Sequence, residues 1–417
     1  MKCAIIAVGT ELLFGNVVNT NAAFISQELN ELGIDVLYHY TMGDNPGRLK
    51  RTLQFAAEDC DLLICTGGLG PTEDDLTRET VCECLDVPLV YNAEAEAGIH
   101  RHFKRLSLEY SKNNEKQTFV PEGAEIFQNS QGTAPGFAIE KNGLTVICLP
   151  GVPREMKVMF SESVRPYLLK YMNAFIVSSR IQLFGMGESL VETKLLDLIE
   201  GQTDPTIATY AKEGVVEVRV TSKRTSEEEA AAAVKDMEKA VLERVGSNVF
   251  STGAELLQDV VGNKLLERGI TVSCAESPTA GLFAASLVDH PGISEIFDRC
   301  YVLYSEESIC EELNVDPDLV EKHSPYSREV CEAMARGVYE KTGSRLCAAI
   351  AGLAGPEGYG DIPPGTYFLS VLFDGVMTTK EIYHFAWTRR LNREFMAMSM
   401  LDMIDHIIDG RELSVLS

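Results

Sequence analysis

The sequence has few basic residues for its length. Its 417 residues include 37 Lys and Arg against 62 Asp and Glu, which gives a formal charge of −25. Proteins that bind DNA or RNA need basic stripes to displace counterions from the phosphate backbone. Direct nucleic-acid binding is therefore not expected, and any anionic ligand must be met by groups placed locally.

Long apolar runs are also missing. No segment approaches the roughly 18 uninterrupted apolar residues of a membrane-spanning helix. The first apolar run is broken at Gly9, too early for the apolar region of a secretory signal. We expect a soluble cytoplasmic protein with no membrane partner.

Paired cysteine motifs are missing as well. Eleven cysteines, an odd number, are scattered through apolar runs without the C-x2-C pairs of a structural zinc site. Free thiols in such runs behave as small hydrophobic side chains, and the odd count fits a reducing compartment. Metal–thiolate chemistry is not expected.

What is present is typical of a folded protein. Hydrophobic residues make up 45% and charged residues 24%, and the length indicates about three domains. We place these domains at residues 1–172, 173–250 and 253–417.

The first domain alternates apolar strands with helical periods. The expected elements are strands at 3–8, 35–42 and 62–66 and helices at 21–32 and 48–57. Such alternation predicts right-handed βαβ units around a parallel sheet, a doubly wound α/β fold. Function is then expected at the carboxyl ends of the strands.

Three of those strand ends are followed by unusual loops, at residues 9–11, 43–45 and 66–77. The third loop is rich in glycine, which lets backbone N–H groups approach a phosphate closely. The helix that follows offers its positive N-terminal end to the same anion. The sequence therefore predicts an anion site between converging loops.

The third loop also carries three consecutive carboxylates, Glu73, Asp74 and Asp75. Beside an anion they would be repulsive unless a divalent cation stands between them and the phosphate. The alternative is that Asp74 and Asp75 only cap and charge-match the next helix. Acidic residues in all three loops favour a magnesium-like ion.

Six motifs occur in order across most of residues 1–170: GTELL, GNVVNTN, GGLGPTEDDLT, NNEKQ, GTAPGF and LPGVPREM. Together they resemble the N-terminal domain of the competence/damage-inducible protein CinA family, which is similar in fold to the MoaB/MogA molybdopterin-binding proteins. The resemblance implies hydrolysis of the pyrophosphate of ADP-ribose with a divalent metal, namely magnesium, manganese or cobalt. It also implies catalytic roles for Asp44 and Asp75.

These expectations define a candidate site. Asp44, Asp74 and Asp75 are expected to hold the metal, and Arg154 is a further candidate cation near the phosphates. The expected nucleotide-binding residues are Gly9, Thr10, Glu11, Gly67, Gly68, Gly70, Asn113 and Lys116. Asn113 and its neighbour Asn114 are also ordinary turn-forming residues.

Residues 173–250 read as a small α+β module, which resembles the KH-like module inserted in CinA proteins. KH domains that bind RNA carry a GXXG loop in basic surroundings. Residues 185–187 (GMG) do not form that loop, and the later helix expected at 226–245 opens with three glutamates at 227–229. A spacer or dimerisation role is expected, and the resemblance implies a homodimer.

Residues 253–410 resemble the CinA C-terminal domain, a nicotinamide mononucleotide (NMN) deamidase in its active form. Active members read AESCTGG and YSNxxK, whereas this chain reads AESPTAG and YSEESI. Ser277 matches the family's nucleophile, but Ile309 stands where the Lys base is expected, and a serine hydroxyl without a base is a weak nucleophile. Pro278 has no N–H for an oxyanion hole. The domain is predicted to be inactive as a deamidase.

Four other residues match positions of that family's site: Tyr304, Ser305, Arg389 and Arg393. They would either retain nucleotide binding or keep the shape of a degenerate scaffold. The Ser277-Pro278 pair also reads as an ordinary helix start, with serine as N-cap and proline at the first helical position. Two alternatives stay open for the whole chain: a non-catalytic nucleotide-binding sensor or scaffold, and a residual NMN deamidase with a substitute base.

Overall fold

The computed structural model describes residues 1–107, 109–171, 175–212, 214–384 and 388–414. The chain forms two compact units, residues 1–176 with 223–227, and residues 177–222 with 228–417. The expected boundary between residues 172 and 173 lies outside the described residues. The expected second and third domains fall largely within the second unit, and their boundaries stay a prediction.

The first unit is built on a mixed sheet with helices on both faces. Its strands are β1 (Lys2–Val8), β2 (Asp35–Met42), β3 (Leu62–Thr66), β4 (Leu89–Tyr91), β5 (Phe119–Pro121), β6 (Glu125–Phe127), β7 (Gly136–Lys141) and β8 (Leu144–Leu149). Its helices are α1 (Thr10–Leu13), α2 (Thr20–Glu31), α3 (Pro46–Asp59), α4 (Thr77–Leu85), α5 (Ala93–Leu106), α6 (Pro153–Met159) and α7 (Arg165–Leu169). A 3-10 segment over Lys112–Thr118 and a π-helical turn over Phe160–Val164 complete it.

The sheet order is β2-β1-β3-β8-β7-β6. The first four strands are parallel, β7 is antiparallel to β8, and β6 is antiparallel to β7. A separate pair is formed by β4 and β5. The predicted parallel α/β arrangement is therefore confirmed. The predicted helices begin slightly earlier than expected, because the side chains of Asn19 and Asn45 accept N–H groups at the starts of α2 and α3.

Alternate residues of the central strands enter two separate cores. Ile5 of β1 packs with Ile25 of α2 on one face of the sheet, and Ile6 packs with Leu53 of α3 on the other. Because successive side chains of a strand point to opposite faces, a strand covered on both sides must be apolar throughout. This explains why β1 and β3 contain almost no polar residue.

The carboxyl ends of four parallel strands meet at one edge of this sheet. In the register, Val8 of β1 stands opposite Met42 of β2, and Thr66 of β3 stands opposite both Ala7 and Leu149. The loops after β1, β2, β3 and β8 therefore converge, as the sequence predicted for the first three.

The second unit contains a small four-stranded sheet of order β10-β11-β9-β12 with two helices packed on it. The strands are β9 (Phe175–Phe184), β10 (Thr206–Lys212), β11 (Val215–Arg224) and β12 (Val249–Ser251), and the helices are α8 (Glu188–Glu200) and α9 (Glu227–Val245). The predicted α+β character of this part is confirmed.

The rest of the second unit is a five-stranded sheet of order β14-β13-β15-β16-β17. Its strands are β13 (Val272–Glu276), β14 (Phe297–Val302), β15 (Leu346–Gly352), β16 (Thr366–Phe373) and β17 (Val376–Tyr383). Its helices are α10 (Leu257–Glu267), α11 (Leu282–Val288), α12 (Glu306–Leu313), α13 (Pro317–His323), α14 (Arg328–Thr342) and α15 (Arg389–Ile408). β13, β14 and β15 are parallel, β16 is antiparallel to β15, and β17 is antiparallel to β16. A hydrophobic core lies on each face of this sheet.

One local expectation is wrong in this part. The Ser277-Pro278 pair does not start a helix, because α11 begins at Leu282 with Gly281 as N-cap. The buried carboxylate of Glu276 accepts the N–H groups of Gly281, Phe283 and Ala284. The helix start is therefore set by Glu276, and residues 277–280 form a turn before it.

Within the described part of the chain, no helix is both long and apolar enough to cross a bilayer.

Candidate functional site

A cleft of about 600 Å³ opens where the four loops of the first unit converge. This volume is in the range of small-molecule sites, roughly 300–1,000 Å³. Five carboxylates line the cleft, Glu11, Asp44, Asp74, Asp75 and Glu155. Among the residues described by the structure, no lysine or arginine belongs to the lining.

The loops after β1 and β2 are locked to each other through Asp44. Its Oδ2 accepts the backbone N–H of Thr10 at 3.0 Å and the hydroxyl of Thr10 at 2.7 Å. The backbone N–H of Asp44 in turn donates to the Thr10 hydroxyl oxygen at 3.3 Å. Thr10 itself is not part of the cleft lining, so its role is to hold the Asp44 carboxylate in place.

Thr72 performs the same task in the acidic loop. Its backbone N–H donates to Oδ2 of Asp75 at 3.0 Å, and its hydroxyl contacts both Asp75 and Asp74. The hydrogen bond from Thr72, together with a backbone hydrogen bond, lowers the pKa of Asp74 below its ordinary value. Asp74 therefore carries its charge over the whole neutral range.

Three glycines of this loop leave no room for a side chain. Gly67 has φ +98°, and a Cβ there would lie 2.0 Å from the carbonyl oxygen of Val8. Gly68 has φ +68°, and a Cβ there would lie 2.1 Å from Oγ1 of Thr77. At Gly70 a Cβ would lie 2.4 Å from a carboxylate oxygen of Asp75.

Fewer glycine N–H groups are available to a phosphate than the sequence suggested. The N–H of Gly67 donates to the carbonyl oxygen of Leu149, and the N–H of Gly9 donates to that of Met42. These two glycines line the cleft, but their N–H groups are used within the protein. Gly68 and Gly70 are the two expected glycines that remain as candidate donors.

The predicted cations lie outside the lining of the cleft. Nζ of Lys116 donates to the carbonyl oxygens of Thr72 and Asp75 and lies 3.8 Å from Glu79, so it braces the acidic loop from behind. Arg154 is exposed, and its guanidinium donates to the side chain of Gln131. Neither residue lines the cleft, although the charge of Lys116 is close enough to Asp74 to help lower the pKa of that carboxyl.

The two predicted asparagines are also outside the lining. Asn113 is exposed. Asn114 is buried, and its side-chain amide donates to Gln117 at 2.8 Å. Gln117 then donates to the carbonyl oxygen of Leu69 at 3.0 Å and does line the cleft. This chain of amides supports the glycine-rich loop from below.

The site residues predicted from the sequence did not include several polar residues that line the cleft, among them Asn21, Gln117 and Glu155. Asn21 donates through Nδ2 to the carbonyl oxygen of Gly151 at 2.8 Å. Glu155 lies in the first turn of α6, directly after the loop that follows β8, and Asn129 donates to its carboxylate at 2.7 Å. The LPGVPRE segment was the sequence feature that could have indicated Glu155. It follows β8, and because β8 is a fourth parallel strand, this segment must lie at the same edge of the sheet as the other three loops.

In the second unit, the structure groups several residues of the predicted degenerate deamidase site. Ser277 follows β13 and is half-buried, with its N–H bonded to the carbonyl oxygen of Ile350. The guanidinium of Arg393 donates to the carbonyl oxygens of Pro278 and Thr279, both at 2.8 Å. The turn that carries the serine is therefore held by Arg393.

A second arginine joins the neighbouring loops. Nη2 of Arg389 donates to the hydroxyl of Tyr304 at 2.6 Å, and Nη1 donates to the carbonyl oxygen of Gly355. Ser305 caps α12, accepting the N–H of Ser308, in a reciprocal capping box. Its side chain therefore has a structural role.

At the expected position of the base there is no titratable group. Ile309 is 3% exposed and belongs to the apolar core on the α12 and α14 side of the sheet. A buried isoleucine thus stands where the family's base would be a lysine. Pro278, the residue after Ser277, has no backbone N–H to donate.

Comparison with known proteins agrees with this architecture. Family models match three successive parts of the chain: "Probable molybdopterin binding domain" at residues 4–170, "Damage-inducible protein CinA KH domain" at 178–251 and "CinA C-terminal domain" at 254–408. They confirm the fold expected for each part and the resemblance seen in the sequence motifs.

Curated relatives cover almost the whole chain. A "CinA-like protein" of Dictyoglomus turgidum is 40% identical over 97% of this chain and 98% of its own length. A competence-damage inducible protein of Clostridium kluyveri is 41% identical over 97% of this chain and 99% of its own. The crystal structure of the protein CinA from Thermoplasma acidophilum, with 34% identity and a TM-score of 0.37, covers 40% of this chain and 96% of that one. On the identity and coverage of the two curated relatives, the chain belongs to the CinA family of competence/damage-inducible proteins.

Proposed function

We propose that the first unit hydrolyses the pyrophosphate of ADP-ribose or a similar nucleotide in a metal-dependent reaction. The observation that carries the proposal is the charge of the cleft, which five carboxylates line without a basic side chain among the described residues. A pyrophosphate would be repelled there unless a divalent cation accompanied it.

The donor set fits such an ion. Carboxylate oxygens are the ligands preferred by magnesium and manganese, and Asp44, Asp74 and Asp75 would hold the ion. When bound, the ion supplies positive charge to the pyrophosphate oxygens and promotes the attack of water on phosphorus.

The protein's own residues fix these carboxylates in advance. Thr10 occupies Oδ2 of Asp44, and Thr72 occupies Oδ2 of Asp75, so each carboxylate presents Oδ1 to the ligand. A side chain held this way loses little entropy on binding, which is the basis of preorganised sites. The N–H groups of Gly68 and Gly70 are then the candidate donors to phosphate oxygens.

An apolar part of the cleft lining suits the organic part of a nucleotide. Leu12, Val17 and Val18 line the cleft, and Val18 is 80% exposed. An exposed apolar wall beside a charged floor matches a ligand with a flat base at one end and phosphates at the other.

The test is chromatographic. The full-length protein is incubated with ADP-ribose with and without magnesium, manganese or cobalt, and the products are separated. AMP and ribose phosphate that form only with metal support the proposal. Binding of ADP-ribose without any product, measured by calorimetry and unchanged by metal, would replace it with the sensor or scaffold function.

For the second unit we propose no deamidase activity, because Ile309 packs in an apolar core where a base is required and Pro278 lacks an N–H. Release of nicotinic acid mononucleotide from NMN would overturn this. A cytoplasmic homodimer that binds no nucleic acid completes the proposal, in keeping with the charge of −25.

A further inference from the structure

Two thiols and a carboxylate meet on one face of the sheet in the second unit. Cys274 and Glu276 are two residues apart on β13, so strand alternation places their side chains on the same face. Cys300 stands directly opposite Cys274 on the parallel neighbour β14. Three ligand-type groups are thus brought together by strand pairing.

The distances between their ligand atoms are short. Oε1 of Glu276 lies 4.0 Å from Sγ of Cys274 and 3.5 Å from Sγ of Cys300, and all three atoms lie within 4.8 Å of one another. Around a tetrahedral zinc ion, with bonds of about 2.3 Å to sulfur and about 2.1 Å to oxygen, ligand atoms are roughly 3.6–3.8 Å apart. Small side-chain adjustments would bring the three ligand atoms to these distances.

Glu276 is fixed at this point by the backbone. Its Oε2 accepts the N–H groups of Gly281 and Phe283, and its Oε1 accepts that of Ala284 at 2.8 Å. Oε1 takes this one strong bond and faces the two sulfur atoms, which leaves it room for one further strong partner. Glu276 is completely buried, whereas Cys300 is only half-buried and gives access from solvent.

We propose that Cys274, Glu276 and Cys300 form a binding site for one soft divalent cation of the zinc class. The two S–H protons leave to solvent as two metal–sulfur bonds form, and no electron is transferred. Two thiolates and one carboxylate are a donor set that favours zinc or cadmium over magnesium. A water molecule would complete the coordination from the Cys300 side.

This site could not be recognised from the sequence, because its ligands are not spaced as in a zinc motif. Cys274 and Cys300 are separated by 25 residues that include a whole helix, and only the parallel pairing of β13 with β14 brings them together. The proposal departs from the expectation, drawn from the cysteine spacing, that the chain has no metal–thiolate chemistry.

The chain contains an internal control for this proposal. Cys65 of β3 and Cys148 of β8 are also direct partners on parallel strands. Both of these thiols are completely buried in an apolar core, and among the described residues no carboxylate joins them in a ligand-type cluster. A thiol pair alone, without a carboxylate and without solvent access, is not expected to bind metal.

The test uses the reduced, metal-free full-length protein in a large excess of magnesium, which occupies oxygen-rich sites. Cadmium is added and the thiolate-to-metal charge-transfer absorption is followed in the ultraviolet. We expect a signal that saturates at one cadmium per chain, is abolished in Cys300→Ser and Cys274→Ser, and is unchanged in Cys148→Ser. No signal in the wild type, or a full signal in Cys300→Ser, would overturn the proposal.

A second measurement needs no variant and so does not depend on the variants' folding. Zinc is titrated while alkylation by iodoacetamide is followed by peptide mass spectrometry. With zinc tenfold above its dissociation constant, the alkylation rate of Cys300 should fall roughly tenfold. The half-buried Cys310 on α12 is the control and should react at an unchanged rate. Equal rates at Cys300 with and without zinc would also refute the site.

Discussion

Replacement of Asp75 by asparagine tests the proposed metal site at its most constrained ligand. The carboxamide oxygen of asparagine can still accept the backbone N–H and the hydroxyl of Thr72, so the acidic loop should keep its shape. What is removed is one negative charge at a half-buried position in the cleft. The expected effect is therefore on metal affinity and activity, with little effect on stability.

The magnitude follows from the charges. A divalent ion about 4 Å from a carboxylate gains about 2 kcal/mol at the dielectric constant of water and about 8 kcal/mol at the effective value of a protein surface. Because Asp75 is half-buried, the lower figure is a minimum. A loss of about 2 kcal/mol corresponds to a roughly 30-fold rise in the metal concentration needed for half-maximal activity.

The assay is a metal titration of ADP-ribose cleavage, with AMP as the measured product. Glu73→Gln is the matched control, since it removes the same charge from the same loop at an exposed residue outside the cleft lining. Salt dependence separates a general field effect from direct coordination, because distant exposed charges are screened. If Asp75→Asn shows wild-type rates and an unchanged metal requirement, the reasoning from the cleft is refuted.

Three further outcomes are expected. Gly67→Ala should destabilise the first unit by at least roughly 2 kcal/mol in denaturant unfolding, because a Cβ would lie 2.0 Å from a backbone carbonyl oxygen and φ is +98°. Glu217→Gln should lower the stability of the second unit at neutral pH by roughly 2 kcal/mol, because it weakens a buried charged hydrogen bond with Arg219. Incubation with NMN should release no ammonia from the wild type, and Ser277→Ala should not change that result.

Each of these outcomes has its own check. Gly123→Ala is the control for Gly67→Ala, since Gly123 also has a positive φ, +75°, but no atom within 4 Å of a Cβ; equal losses would disprove the steric argument. For Glu217, burial acts to raise the pKa, but hydrogen bonds from Arg219 and Gln182 outweigh it and hold the pKa below 4.5. A carboxylate whose pKa is lowered by folding stabilises the folded state at pH values above its ordinary pKa of 4.5. This stabilisation is lost as the pH falls through the pKa of the folded state. A Glu217→Gln deficit that persists in acid would contradict this assignment. Ammonia release that Ser277→Ala abolishes would show that a substitute base exists.

The fold class of each part could be predicted from the amino-acid pattern. Apolar strands alternating with helical periods indicated the parallel sheet of the first unit, because strands covered on both faces must be apolar throughout. It also indicated the loops of the cleft, since the carboxyl ends of parallel strands share an edge. The residue departures at Pro278 and Ile309 could be seen without coordinates, because each removes a functional group from a recognisable motif.

Which side chains line the cleft could be learned only from the folded chain. Asn113, Lys116 and Arg154 are polar residues near the right motifs, but only the packing of the chain shows that they lie outside the lining. The same packing brought in Glu155 from the first turn of α6, which follows the fourth loop. Sequence order carries no record of which loop residue turns inward, because that depends on contacts made by distant segments.

Hydrogen bonding was decided at the same level. The N–H of Gly67 is used by Leu149, a residue 82 positions later, so the phosphate cradle could not be read from the glycine pattern alone. The cluster of Cys274, Glu276 and Cys300 exists only because β13 pairs with β14 in one register. Local patterns thus specify elements and their buried faces, whereas the composition of a site depends on pairings between residues far apart in the chain, which only the folded structure contains.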